Sequence, residues 1–198
     1  EISAGVKPDL SKLEEMSGIR HLQIGGASRA HVALGEVLPG FAQLESLAVN
    51  LSNYSIDGLT PRVRDLRLTP YRWRTVDLSG RQLRSLWLDG LPGLVDLRRL
   101  EGTSMARLVV QHAPALVSLE GIPQEVASLR VDFAPRLEDL GALTGNRLRS
   151  LELYRCGSVA LPEGIERDIE ELMLNECGMV SSLSVLVGAN LLKRVEFY

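Results

Sequence analysis

Residues 83–143 read LRSLWLDGLPGLVDLRRLEGTSMARLVVQHAPALVSLEGIPQEVASLRVDFAPRLEDLGAL. The stretch says the same thing three times. Each copy opens on the pattern apolar, two variable, apolar, one variable, apolar: LRSLWL from Leu83, MARLVV from Met105 and VASLRV from Val126. Each closes about eleven residues later on a second apolar cluster, LVDLRRL, LVSLEGI and LEDLGAL. Pro92, Pro114 and Pro135 stand between the two halves. Proline fixes φ and has no N–H to give to a ladder, so it marks the point where the chain leaves a strand.

The opening phrase extends in both directions. It occurs as IRHLQI from Ile19, LESLAV from Leu44 and VRDLRL from Val63, and again as LRSLEL from Leu148, IEELML from Ile169 and LKRVEF from Leu192. Successive starts are separated by 25, 19, 20, 22, 21, 22, 21 and 23 residues, and all 27 defining positions are apolar. A six-residue strand with two inward side chains cannot bury its apolar face alone. Stacking like strands about 4.8 Å apart builds a continuous core and pairs every backbone group. The chain contains 36 leucines but only 5% aromatic residues, which suits a core of many similar layers rather than one aromatic nucleus.

The phrase and its period resemble the leucine-rich repeat family, whose signature is LxxLxLxxN/CxL. The resemblance covers about residues 10–198. The short period and the LxxLxxL second half are most similar to the 21–22-residue class found in a phosphatase regulator and in bacterial internalins. The resemblance implies a solenoid bent into a horseshoe arc. About nine parallel β-strands are expected on its concave face, with 3₁₀ turns or extended segments on its convex side and few helices. Residues 19–198 form the repeat domain in this reading. Residues 1–18, with Asp9, Ser11 and Glu14 at helix-capping spacing, form a partial N-terminal repeat or cap. The longest repeat has about four extra residues around HVALGEVL, where a short convex-side helix is expected. The C-terminal phrase lacks a polar cap, so a further segment or a partner is expected to cover that end.

The ninth repeat position departs from the family pattern. It is usually Asn or Cys, and its side chain bonds the turn backbone of a neighbouring repeat. Here it reads Ala27, Ser52, Tyr71, Leu91, Ala113, Ala134, Cys156 and Cys177. The turn groups must therefore find backbone or water partners. Cys156 and Cys177 fall on this inward position in adjacent repeats and read as buried small side chains.

The formal charge of −3 argues against a nucleic-acid binder, and no stripe of basic residues forms. Arginines outnumber lysines 19 to 3, a skew that points to a GC-rich bacterial genome. Two cysteines without a CxxC pair make neither a disulfide scaffold nor a zinc site. No run of apolar residues is long enough to span a membrane, and no secretion signal opens the chain, so a cytoplasmic setting is expected. P-loop, HExxH, GxSxG and GxGxxG motifs are absent. His21, His31 and His112 are scattered and read as surface residues. No enzyme, cofactor or metal is expected.

Function then rests on the outward face of the strands. Side chains alternate along a strand, so positions three, five and seven of each phrase point to solvent. At its centre Trp87 is expected to be exposed beside Arg67, Asp89, Arg107, Val109 and Arg130, with Tyr154 and Met173 further along. Trp, Tyr and Arg on one surface are the residue types that dominate protein-binding hot spots. Arg67 and Arg130 are also candidates to pair with Asp65, Asp89 or Asp132. The expected role is recognition of another protein. One setting is the sensor region of a larger bacterial signalling or defence ATPase, another a standalone inhibitor or immunity-type protein. A non-catalytic part of an enzyme ranks third.

Overall fold

In the computed structural model each apolar phrase becomes one strand. The structure describes residues 2–3, 18–25, 32–51, 54–56, 58–69, 78–178, 180 and 183–198. Most of the expected N-terminal cap, together with Ala27, His31, Ser52 and Tyr71, lies outside the described residues. The strands are β1 (Ile2–Ser3), β2 (His21–Gly25), β3 (Val32–Ala33), β4 (Ser46–Asn50), β5 (Tyr54–Ser55), β6 (Asp65–Leu68), β7 (Gln82–Asp89), β8 (Ser104–Gln111), β9 (Ser128–Ala134), β10 (Ser150–Cys156), β11 (Glu171–Asn175) and β12 (Arg194–Phe197). Ten of them form one sheet in the order β1-β2-β4-β6-β7-β8-β9-β10-β11-β12, and every pair is parallel. The order follows the chain and the sheet does not close into a barrel. Nine of these strands carry the nine phrases, and β1 adds a tenth. β3 and β5 pair separately.

Register follows the hydrophobic pattern. Leu66, Leu86, Leu108, Leu129, Leu151 and Leu172 stand side by side across β6 to β11, as do Leu68, Leu88, Val110, Val131, Leu153 and Leu174. All are buried. A one-residue slip would turn each of these side chains to the opposite face, so burial pins the pairing.

The second half of each repeat closes the layer. Pro92, Pro114 and Pro135 start turns in which the N–H of Leu94, Leu116 and Leu137 donates to the carbonyl of Leu91, Ala113 and Ala134, at 3.2, 3.0 and 2.9 Å. Proline favours that second turn position because its φ is preset. The chain then runs through Leu97 and Leu100, Leu119 and Ile122, or Leu140 and Leu143, all packed inward. Helical structure among the described residues is confined to six 3₁₀ turns, including Arg98–Leu100 and Gly141–Leu143. The residues around HVALGEVL hold two of these, Leu34–Glu36 and Leu38–Gly40, where a short helix was expected. Val195 and Phe197 of β12 are 40% and 45% exposed, because no described layer stacks on them.

The turns after the strands are held by backbone bonds between layers. Leu91 N–H donates to the His112 carbonyl at 3.0 Å, and Ala113 N–H to the Phe133 carbonyl at 3.1 Å. The expectation that ninth-position side chains contribute nothing is corrected at the two cysteines. Cys177 Sγ donates to the Leu153 carbonyl at 3.4 Å, and Cys156 Sγ lies 3.8 Å from the Val131 carbonyl. Only Cys156 is fully buried; Cys177 is half-buried, which corrects the expected burial of both.

Candidate functional site

Among the described residues no element covers the outward face of the large sheet, and most of its side chains are exposed or half-buried. Parallel register lines up the fifth repeat position as Arg67, Trp87, Val109, Arg130, Glu152 and Met173 on six neighbouring strands. Neighbours in such a row are close enough for their side chains to touch.

Two clusters result. In the first, the Arg67 guanidinium lies 4.3 Å from the Trp87 ring centroid. The indole N–H donates to Gln111 Oε1 at 3.1 Å. Trp87 is therefore half-buried rather than exposed as expected, because its neighbours cover part of the ring. In the second cluster Arg130 donates to Glu152 at 3.3 Å and stacks 4.4 Å from the Tyr154 ring. Tyr154 Oη donates to Glu152 at 3.3 Å and also contacts the Met173 sulfur. Partial burial, then the Glu152 carboxylate, pushes the Tyr154 phenol above its ordinary pKa.

Val109 corrects a second expectation. It sits on the outward face, yet it is only 2% exposed and belongs to no part of the inner core. Its register neighbours are Trp87 and Arg130, two tall side chains that shelter a short one. The outward face thus carries a small apolar centre of its own.

Of the expected arginine–aspartate pairs, Arg130 with Asp132 forms, within one strand rather than across two, and the other acids find different partners. Asp89 Oδ1 lies 2.7 Å from His112 Nδ1. Asp132 is buried, not solvent-facing, and accepts from Arg155 at 2.6 Å with Arg130 at 3.9 Å. Asp65 accepts from Arg84 Nε at 3.0 Å and from Ser85 Oγ at 2.8 Å. Arg67 pairs with none of the three. Arg107 is exposed between Ser85 and Ser128, with no carboxylate partner among the described residues.

One row escaped sequence reasoning. The eighth repeat position, at the end of the strand or just past it, has positive φ in five successive repeats: Gly90 (74°), His112 (51°), Phe133 (58°), Arg155 (50°) and Glu176 (49°). Only the glycine signals this in sequence, since non-glycine residues seldom adopt that conformation. The turn swings these side chains into a second row. Phe133, 39% exposed, lies between the His112 ring at 5.9 Å and the Arg155 guanidinium at 5.8 Å.

Beside Arg67 the face dips into a hollow lined by Gln23, Ala48, Val49, Asn50, Thr69 and Asp89. The described residues contain no group of His, Cys, Asp and Glu arranged to hold a metal ion. No helix among them is long and apolar enough to cross a membrane. The arrangement offers a stacked Arg–Trp pair, a sheltered apolar centre and polar side chains at the rim. Comparison with protein-family models, curated proteins and solved structures gives no match for this chain.

Proposed function

We propose that this chain is a leucine-rich-repeat solenoid of the short class that recognises another protein through the concave, outward face of its sheet. The observation that carries the proposal is Trp87, held on a face no described element covers, with Arg67 stacked on it and Val109 sheltered beside it. Large amphipathic side chains, preordered and ringed by polar groups, are the usual anchors of protein interfaces. One strand per phrase and 3₁₀ turns in the second halves support the solenoid reading.

The test compares wild type, Trp87→Ala and Arg98→Ala as immobilised baits in lysate of the native host, followed by direct binding of the purified captured protein. Arg98 lies in the second half of its repeat, away from the outward strand face. Trp87→Ala is expected to weaken binding by more than about 1 kcal/mol with the thermal midpoint nearly unchanged. Arg98→Ala is expected to bind as wild type does. Equal binding by Trp87→Ala and wild type would refute recognition through this face.

A further inference from the structure

Charge accounting around Trp87 goes further and identifies the chemistry of what docks there. The acids of the central face already have partners, mostly reaching in from rows outside it, and all but Asp89 are paired with an arginine. Arg84 holds Asp65, His112 meets Asp89 at 2.7 Å, and Arg155 holds Asp132 at 2.6 Å. Glu152 is taken by Arg130 at 3.3 Å. Among the described residues Arg67 and Arg107 have no carboxylate within ion-pair distance. The two arginines left without a carboxylate at the centre of the face flank Trp87 on either side, and Asp89, hydrogen-bonded by His112, is the one acid there without an arginine.

We propose that the face takes an acidic segment of its protein partner, with an apolar side chain on Trp87 and Val109 and carboxylates on Arg67 and Arg107. The proposal rests on the reading of this face as a recognition surface. The Arg67 guanidinium carbon lies 4.3 Å from the indole centroid, and its side chain has no carboxylate partner among the described residues. Its N–H donors lie in the plane and match the two oxygens of a carboxylate. Because the stack already orders the side chain, little further freedom is lost on binding. Ala48, Asn50 and Thr69 line the hollow beside Arg67 together with Gln23, Val49 and Asp89, so a carboxylate that meets Arg67 there also stands near the Asp89 carboxylate. Arg107 stands clear between two serines.

The spacing constrains the segment. Arg67 and Arg107 are two strands and two strand positions apart, about 12 Å between Cα atoms from strand spacing and rise. An extended chain covers that in about three or four residues. Two acidic residues three or four positions apart, around an apolar one, fit the site. A long acidic run does not, because Glu152, Glu171 and Glu196 occupy the following strands. A nucleic-acid backbone is disfavoured for the same reason.

The probe is a library of random twelve-residue peptides displayed on phage and panned against purified wild type, Trp87→Ala and the double variant Arg67→Gln/Arg107→Gln. The single variant Arg107→Glu, at an exposed position, serves should the double variant lose its native circular dichroism. Wild type is expected to enrich peptides with two acids spaced three or four apart about an apolar residue. Recovery of those peptides should fall at least tenfold with the double variant or with Arg107→Glu, and binding of a synthetic copy should weaken as NaCl rises. Enrichment without acidic preference, or acidic peptides retained by the arginine variants, overturns the acidic-segment proposal; loss with Trp87→Ala alone then leaves recognition through the face standing. Peptides retained by Trp87→Ala as well overturn both. Failure of wild type to enrich any peptide over bare support overturns the acidic-segment proposal.

Discussion

The guanidinium carbon of Arg67 lies 4.3 Å from the centre of the Trp87 ring, on neighbouring strands at the same repeat position. The pair shields part of the indole and leaves Arg67 exposed. In a Trp73→Phe background, Arg67→Ala is expected to move Trp87 emission to longer wavelength and make it more accessible to iodide quenching. The stability loss should be about 0.5–1 kcal/mol, the range for a stacked cation at a partly wet site. Unchanged emission would mean that the stack does not cover the ring in solution.

Asp132 is the buried acid of the outward face and serves both Arg155 and Arg130. Asp132→Ala should destabilise the chain by about 1–3 kcal/mol, since two cations lose a sheltered acceptor. Arg155→Ala should cost less than about 1 kcal/mol, because the arginine is half exposed and solvent replaces the bond. Urea unfolding of both variants checks the order.

Gly121 marks a close approach between layers. Its φ is +90°, and a Cβ there would stand 2.2 Å from Arg98 Cα. Neither backbone can yield without breaking the layer stack, so Gly121→Ala should cost more than about 2 kcal/mol. Gly102→Ala is the control: φ is +74° but a Cβ there meets nothing within 4 Å, so only the backbone term of about 1 kcal/mol remains.

The two thiols should react in a fixed order. A hydrogen bond to Cys177, then burial, pushes the Cys156 thiol up, while the same bond from Cys156 holds the Cys177 thiol below its ordinary value. Thiolate is the reactive form, and Cys177 is also the more accessible of the two. Iodoacetamide at neutral pH, followed by peptide mass mapping, is expected to find Cys177 modified first in the native chain. Equal rates would contradict the paired arrangement.

The Arg84 hydrogen bond, opposed by partial burial and reinforced by Ser85, holds Asp65 below the usual carboxylate range. A lowered pKa in the folded chain contributes stability above the unfolded value of about 3.9 and loses it as pH falls through the folded value. Arg84→Ala should bring the Asp65 titration up toward that ordinary value. A carbon-detected NMR titration of the Asp65 carboxyl reads it directly.

How far the sequence could be read depended on the kind of interaction. Leu86, Leu108 and Leu129 could be placed side by side from spacing alone, because apolar burial has a period and that period names both the strand and its inward face. The same alternation put Trp87, Arg67 and Arg130 outward in one row. It could not show that Val109, also outward, is sheltered, since that depends on the height of side chains about twenty residues away in sequence. Nor could it reveal the eighth-position row, where His112, Phe133 and Arg155 adopt a left-handed turn that their residue types do not advertise.

What the sequence determined by itself was the layering: one strand per phrase, and which positions face the core. Hydrophobic periodicity is local, repeated and strong enough to set register. What only the tertiary structure decided was the chemistry of the open face. Asp65, Asp89 and Asp132 are tied to Arg84, His112 and Arg155, while Arg67 and Arg107 keep their charge unpaired beside Trp87. Ion pairing depends on distances of a few ångströms between side chains on different strands, and no count of charges along the chain contains those distances.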